Sequence, residues 1–185
     1  MAEKLDFTLR PANESDCEAL TEILEHYVHN TLITFRLEAQ SEDEVRQGYN
    51  NVIASGLPYI VAIDAHGKNL GCASVSGFRG AKGGYMHTVE LTLFCHPDHI
   101  GQGVGSALLT QLIDILKNPE RFPEYIPVPR DEDTRIRQVI ACMSLNETGR
   151  GGGWGLARFY ESFGFKQVGH LKQVGHKHGQ WYGFG

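Results

Sequence analysis

Apolar residues recur at intervals of three and four in four segments of the chain, a spacing that places them on one face of a helix. The first two segments open with Asn13 and Ser41, each followed three residues later by an acidic side chain, as in a capping box. The third runs from Gly101 to Lys117. The fourth runs from Trp154 to Phe163 and is followed by a glycine, the residue type that ends many helices. The pattern predicts four helices.

Short apolar segments between these helices predict the strands of a sheet. In chain order they are Asp6–Arg10, Tyr59–Asp64, Leu70–Phe78, His87–His96, Arg137–Leu145, Phe165–Val174 and Gln180–Phe184. The fifth of them, RQVIACMSL, is apolar on both faces, which predicts a central strand. The order strand, two helices, three strands, helix, strand, helix and two strands is typical of an α/β domain with a mixed sheet.

A proline-rich segment separates the third helix from the fifth strand. Asn118–Thr134 contains four prolines and several charged residues, so it cannot be a regular element. We expect it to be a surface insertion that buries little core. With this insertion included, the length of 185 residues fits a single domain over residues 1–185.

Composition and charge narrow the functional classes. Lysine and arginine number 17 and aspartate and glutamate 22, and the net charge of −5 argues against broad nucleic-acid binding. No apolar run approaches the ~20 residues that a membrane helix needs, and the N-terminus lacks the apolar core of a signal peptide. The four cysteines show no CxxC spacing, which favours reduced, buried thiols. We therefore expect a cytoplasmic protein that binds neither nucleic acid nor membranes.

The segment with the most distinctive chemistry joins the fourth strand to the third helix. The sequence HPDHIGQGVGSALL places Gly101, Gly103 and Gly105 where backbone N–H groups at a helix start can approach an anion such as a pyrophosphate. The alternative is a glycine-rich helix start that binds nothing. A dinucleotide-binding site needs GxGxxG with an acidic residue ~20 positions further on, and a P-loop needs a lysine after the last glycine. Neither pattern fits this segment.

The same segment resembles the coenzyme A motif of the GNAT acyltransferases, Gln/Arg-x-x-Gly-x-Gly-Gly/Ala after a strand and a proline. Pro97 and Gly101–Ser106 match it, whereas Ile100 stands at the Gln/Arg position. The segments HYVHNTLITFR, YMHTVELTLFCHPDH and VGHKHGQWYGFG resemble the phosphinothricin acetyltransferase-like branch, and ARFYESFGF resembles GNAT proteins in general. Extra glycine-rich residues after Asn146 are a departure from the family.

The resemblance implies an α/β (α+β) GNAT-type fold, with a mixed, mostly antiparallel central sheet flanked by helices. It also implies acetyl-CoA as cosubstrate and no metal. The residues implied to bind the cofactor are Leu93, Phe94 and Cys95 for the pantetheine arm, Gly101, Gln102, Gly103, Val104, Gly105 and Ser106 for the phosphates, and Asn146. The strand residues would offer backbone groups to the arm in the way that a sheet edge accepts a peptide.

Acyl transfer from a thioester to an amine needs a base for the amine, donors for the oxyanion and an acid for the leaving thiolate. Glu90 matches the family's central-strand glutamate and is implied to be the base, although it could be an outward-facing strand residue. Tyr160 matches the family's acid, although it could be a core aromatic. The loop residues implied to line the acceptor pocket are Phe35, Arg36, Lys82 and Tyr85. Solvated loop charges are the alternative for the two basic residues.

Two further arrangements of reactive residues occur in the sequence. Cys95 and His96 are adjacent, so on a strand their side chains point to opposite faces and cannot form a nucleophile–base pair. The pairs His96 with His99 and His176 with His178 lack a third well-spaced metal ligand. If Glu90 had no role, the base would be water or a histidine such as His178.

The resemblance therefore implies an N-acetyltransferase that moves an acetyl group from acetyl-CoA to the amine of a small amino acid or an amino-acid-like compound, of the phosphinothricin or methionine-sulfone type, by direct attack. The alternatives are acetylation of a polyamine or a protein N-terminus, and a non-catalytic coenzyme A-binding module. The presence of both Glu90 and Tyr160 favours an enzyme. We expect a homodimer acting on a small-molecule amine.

Overall fold

The structure is a computed structural model that describes residues 5–80, 83–145 and 152–185. The described residues form eight strands and four α-helices. In chain order these are β1 (Phe7–Pro11), α1 (Cys17–Asn30), α2 (Glu42–Ala54), β2 (Tyr59–Asp64), β3 (Asn69–Gly77), β4 (Thr88–Cys95), α3 (Val104–Lys117), β5 (Gln138–Ile140), β6 (Ser144–Leu145), α4 (Gly155–Glu161), β7 (Leu171–Lys177) and β8 (Gln180–Phe184).

These elements divide into two compact units. The first unit combines the chain up to Leu24 with Gln40–Ile140, and the second combines Glu25–Ala39 with Ala141–Gly185. In the part of the chain that the structure describes, no helix is long and apolar enough to cross a membrane.

The first unit is built on a five-stranded sheet in the order β1-β2-β3-β4-β5. The neighbouring pairs are antiparallel except for β4 and β5, which are parallel. Helix α3 packs on β2, β3 and β4 through an apolar face that includes Leu108, Leu109 and Leu112, all fully buried. Burying each such side chain contributes about 1.5–3 kcal/mol. The predicted mixed, mostly antiparallel α/β fold is confirmed.

Both predicted capping boxes are present. The side chain of Asn13 accepts from the Ser15 N–H, and the Asp16 carboxylate accepts from the Asn13 N–H at 2.8 Å. This first cap opens a short 3-10 turn that leads into α1. At the start of α2, the Ser41 N–H donates to the Glu44 carboxylate at 2.8 Å, and the Glu44 N–H donates to the Ser41 hydroxyl. Both helices therefore begin where the sequence predicts.

The prediction of one central strand over Arg137–Leu145 is wrong. Strand β5 covers only three of these residues and is the last strand of the five-stranded sheet, where it pairs with β4. Strand β6 pairs instead with β8 in the second unit, and Met143 before it exchanges two hydrogen bonds of 2.9 Å with Gly185. An apolar run indicates burial but does not identify the partner strand. It therefore could not show that the chain passes from one sheet to the other between β5 and β6.

The expectation that Asn118–Thr134 buries little core is also wrong. Tyr125 and Ile126 are 8% and 5% exposed, which makes them core residues of the first unit. Arg130 donates hydrogen bonds from its guanidinium to the carbonyls of Ser55 at 2.9 Å, Thr134 at 3.4 Å and Met86 at 3.5 Å. Prolines prevent regular secondary structure, but they leave such side-chain packing intact.

The second unit contains helix α4 and a three-stranded antiparallel sheet in the order β6-β8-β7. Gly164 follows α4 with φ +88°, as predicted from its position after the helix. Strand β7 begins at Leu171, so the predicted strand over Phe165–Val174 is wrong in its first half. Residues 165–170 have no ladder partner among the described strands.

Candidate active site

The turn from β4 into α3 is shaped by two glycines with left-handed backbone. Gly101 and Gly103 have φ of +79° and +89°, conformations that glycine adopts without strain. Gly103 is the N-cap of α3, and no side chain caps the helix. The first intrahelical bond of this turn is donated by the Ala107 N–H, so the amides of Val104, Gly105 and Ser106 have no intrahelical acceptor.

The space in front of this helix start is open. A Cβ built on Gly101 or Gly103 would meet no atom within 4 Å. Gln102 is exposed, and its amide donates to the Asp98 carbonyl at 3.2 Å while its oxygen lies 3.2 Å from His99 Nδ1. Unpaired amides at the positive end of a helix dipole, with free space before them, suit a phosphate or pyrophosphate group.

Strand β4 leads to this turn with its two edges paired over different lengths. Its pairing with β3 runs from Val89 to Cys95, whereas its parallel pairing with β5 covers only Thr88–Glu90. Leu93, Phe94 and Cys95 therefore lie beyond the stretch that β5 covers. On the β3 side, Gly71 permits a close approach, because a Cβ there would lie 2.5 Å from the Phe94 carbonyl oxygen.

Glu90 lies on the half-exposed face of β4, between buried neighbours on the other face. Val89 and Leu91 are 1% and 8% exposed, and Glu90 is opposite Ser76 on β3 and Ile140 on β5. Within the described residues of the first unit, its carboxylate has neither a hydrogen-bond nor an ion-pair partner. An ionised carboxylate without a fixed partner can accept a proton.

Tyr160 lies on α4 in the second unit. Its ring is half-buried between those of Phe159 and Phe165, with centroids 5.4 Å away in each case. The Tyr160 carbonyl accepts from the N–H groups of Phe163 and Phe165 at 2.9 and 3.3 Å, which fixes the end of the helix. The backbone that carries this phenol is thus well defined.

The predicted acceptor-loop residues have different surroundings. Phe35 belongs to the second unit and packs on Tyr182 and Phe184, with ring centroids 6.4 and 5.8 Å away. Arg36 is exposed. Tyr85, in the first unit, is 39% exposed, contacts the ring of Phe78 edge-on and lies under the Arg79 guanidinium at 6.0 Å. Lys82 and Asn146 lie outside the described residues.

The cysteines and histidines form no second reactive centre in the described parts of the chain. Burial raises the pKa of the Cys95 thiol to about 11 and that of the Cys72 thiol to about 12, so little thiolate exists near neutral pH. His96 Nδ1 accepts from the Asp98 N–H at 3.3 Å. No group of three or more histidine, cysteine or acidic residues suited to a metal ion occurs among the residues described. All four cysteines are free thiols; Cys17 and Cys72 are buried, whereas Cys95 and Cys142 are half-buried.

Sequence reasoning missed one buried cation, Lys177 in β7. It is 3% exposed, and its ammonium donates to the Thr34 carbonyl at 2.9 Å. No local pattern in the sequence marks this lysine, because its hydrogen-bond acceptor lies 143 positions earlier.

A helix start with unpaired amides after a strand of a mixed sheet is the arrangement that the resemblance to the GNAT acyltransferases implies. The family model described as "Acetyltransferase (GNAT) domain" matches residues 55–167. The phosphinothricin N-acetyltransferase of Alcaligenes faecalis is 34% identical over 174 residues, which span 94% of this chain and 77% of that protein. The chain belongs to the GNAT acetyltransferase family.

Two solved structures are similar over nearly the whole chain. The ribosomal-protein-alanine N-acetyltransferase of Brucella melitensis has a TM-score of 0.78 at 28% identity, covering 96% of this chain and 95% of that one. The phosphinothricin acetyltransferase of Sinorhizobium meliloti, solved in complex with acetyl-CoA, has a TM-score of 0.75 at 29% identity, covering 96% and 85%. The resemblance found in the sequence is therefore confirmed.

Proposed function

We propose that this protein is an N-acetyltransferase that transfers the acetyl group of acetyl-CoA to the amine of a small amino acid or an amino-acid-like compound, of the phosphinothricin or methionine-sulfone type. The observation that carries the proposal is the helix start of α3, where uncapped amides face open space at the end of β4. The phosphinothricin acetyltransferases among the similar proteins support the acceptor class.

The residues around this helix start fit acetyl-CoA. The amides of Gly103 to Ser106 would bind its pyrophosphate, and the backbone of Leu93 to Cys95 would bind its pantetheine arm. Gln102 and Asn146 are proposed as further contacts. When bound, acetyl-CoA supplies the thioester carbonyl that the amine attacks.

Two side chains are proposed for the proton transfers. An amine with a pKa of ~10 is mostly protonated at neutral pH, so a base must take its proton. Glu90 suits this role because its half-exposed carboxylate has no competing ion pair in the described part of the first unit. The Tyr160 hydroxyl is proposed to give a proton to the departing sulfur, as the family tyrosine does.

The acceptor is proposed to bind to the loops that carry Phe35, Arg36, Lys82 and Tyr85. Two of these side chains are aromatic and two are basic, which suits an apolar carbon chain ending in an anionic group. The exposed Arg36 guanidinium could bind an acceptor carboxylate with two parallel hydrogen bonds.

Three broader features belong to the proposal. We propose that the protein is cytoplasmic, where its four reduced cysteines are stable. We also propose that it is a homodimer. Its net charge of −5 supports a small-molecule acceptor rather than a nucleic acid. Residues 1–185 are proposed to act as one acetyltransferase domain.

A panel of acceptors tests the proposal through release of free thiol from acetyl-CoA. The panel contains phosphinothricin, methionine sulfone, spermidine and a peptide that begins with alanine. We expect turnover with the first two. Turnover confined to the peptide would favour a protein α-amine, the alternative that similarity to the Brucella enzyme raises. Acetyl-CoA binding by calorimetry without turnover on any acceptor would indicate a non-catalytic binding module.

A further inference from the structure

The second unit holds an internal contact between residues far apart in the sequence. Lys177 of β7 is 3% exposed, and its ammonium donates to the Thr34 carbonyl at 2.9 Å. Burial lowers the pKa of this lysine, so the group is costly to keep in the interior. A buried ammonium needs a hydrogen-bond acceptor, and here the acceptor is one carbonyl of the loop after α1.

The bond to Thr34 extends to the neighbouring acceptor-loop residue. The Thr34 hydroxyl accepts from the Arg36 N–H at 3.2 Å. Thr31, at the other end of the loop, accepts from the Ile33 N–H through its own hydroxyl and donates to the Tyr27 carbonyl. Hydrogen bonds of Thr31 and Thr34 therefore order the loop internally, and the Lys177 hydrogen bond attaches the loop to β7 at Thr34.

A second contact holds the same loop through Phe35. Its ring lies directly over Gly175 of β7, in the position that a Cβ on that glycine would occupy. The ring also packs on Tyr182 and Phe184 of β8. The absence of a side chain at Gly175 is thus what allows Phe35 to rest on the hairpin.

We propose that the β7–β8 hairpin sets the position of the acceptor loop, residues 31–36, and that Lys177 and Gly175 are the positioning residues that do so. Neither residue touches the reacting atoms; each acts through Thr34 or Phe35. The hairpin then selects which acceptor fits, while the acetyl-CoA contacts in the first unit are independent of it. This inference rests on the proposed function, because it takes Phe35 and Arg36 to be acceptor-binding residues.

Two variants test the proposal by different routes. Lys177→Met keeps an unbranched side chain, one atom shorter, but removes the donor, and Gly175→Ala puts a methyl group where the Phe35 ring lies. The matched controls are Lys172→Met, an exposed lysine of the same strand, and Gly169→Ala, where a Cβ meets nothing within 4 Å. Circular dichroism and melting temperature establish which variants are folded.

The first readout is kinetic. A hydrogen bond from a charged donor shifts an equilibrium by about tenfold or more, so Lys177→Met should raise the KM for phosphinothricin by about that factor. Gly175→Ala should also raise this KM, because its methyl group displaces the Phe35 ring. The KM for acetyl-CoA should stay within about twofold, and the controls should match the wild type. A general structural defect would lower kcat and affect both substrates alike. That result, or an unchanged acceptor KM in the folded variants, would overturn the proposal.

The second readout does not depend on activity. Hydrogen–deuterium exchange of residues 31–36 should be faster in Lys177→Met and Gly175→Ala than in the wild type and the controls. Unchanged exchange in an active enzyme would refute the positioning role and leave the proposed function intact. A wild-type protein that acetylates no acceptor would refute the proposed function, and exchange would still decide whether the hairpin orders the loop.

Discussion

The glycines before α3 and the glycine in β7 lack a side chain for opposite reasons. At Gly103 the space that a Cβ would enter is open, and the amides behind it carry no cap. At Gly175 the same space is filled by the protein's own Phe35 ring. The difference indicates that a glycine leaves room for a ligand only where no other side chain of the protein fills the adjoining space. In the proposed function, the first region binds acetyl-CoA and the second is internal packing that supports the acceptor loop.

Loss of the proposed base should have the largest effect on the first region. Glu90→Gln should lower kcat by about 10²–10⁴-fold at neutral pH, since the bound amine would no longer have a proton acceptor. The loss should shrink as the pH rises, because more of the amine is then already deprotonated. A pH–rate profile with a working acceptor measures this. A wild-type profile would remove Glu90 from the mechanism and make His178 the next candidate.

A smaller loss is expected from the second unit. Tyr160→Phe keeps the ring contacts with Phe159 and Phe165 but removes the hydroxyl. Turnover should fall on the order of 10²-fold, while acetyl-CoA affinity measured by calorimetry stays unchanged. An equal loss of affinity would mean that the hydroxyl binds the cofactor rather than protonating the leaving group.

Packing of the proline-rich segment should matter for stability rather than for chemistry. Ile126→Ala should lower the free energy of unfolding by about 2–4 kcal/mol, because the side chain is 5% exposed in the core. Val128→Ala, two residues away and 79% exposed, is the matched control and should have little effect. Urea denaturation measures both. Equal effects would mean that Asn118–Thr134 contributes little to the core.

An added negative charge should weaken acetyl-CoA binding more at Gly103 than at an ordinary exposed glycine. Gly103→Asp would place a carboxylate beside the pyrophosphate site and should weaken acetyl-CoA binding by more than about tenfold. Gly48→Asp is the control for added charge, because Gly48 is an exposed residue of α2 and a Cβ built on it would meet no atom within 4 Å. Calorimetry on folded variants decides the matter. Unchanged affinity for Gly103→Asp would remove the anion site from the turn.

The smallest effect concerns the thiol at the end of β4. The pKa of Cys95 is raised to about 11 by burial, so its thiolate fraction keeps growing well above pH 8.5, where an ordinary thiol is already half ionised. Alkylation of Cys95, followed by mass spectrometry, should be slow at pH 8 and should rise about tenfold per pH unit up to pH 9.5. Bound acetyl-CoA should slow it further. A rate that bends near pH 8.5 and flattens by about pH 9.5 would contradict the raised pKa.

Local signals in the sequence predicted much of this fold. The capping boxes at Asn13 and Ser41 lie where expected, and β2 has its predicted limits, because these features depend on neighbouring residues. The glycine motif gave the helix start of α3 for the same reason. The split of Arg137–Leu145 between two sheets depends on distant partner strands, which local periodicity does not record.

The candidate site was predicted less completely than the fold. Pattern and resemblance found Glu90 and the glycine turn, whose chemistry is visible in residue type and spacing. Lys177 lies between two predicted strands, Phe165–Val174 and Gln180–Phe184, and its hydrogen-bond acceptor, the Thr34 carbonyl, lies 143 positions earlier. Tyr125 and Ile126 were not predicted to be buried, because the prolines around them indicate irregular backbone and carry no information about burial.

The composition of the second unit from two distant segments has a consequence for synthesis. Residues 25–39 leave the ribosome long before residues 141–185, by on the order of ten seconds at typical elongation rates. The nascent chain can complete the five-stranded sheet during that interval, but the acceptor loop has no hairpin to rest on. The acetyl-CoA site proposed in the first unit can therefore form during translation, whereas the proposed acceptor loop is positioned only after β8 has been released.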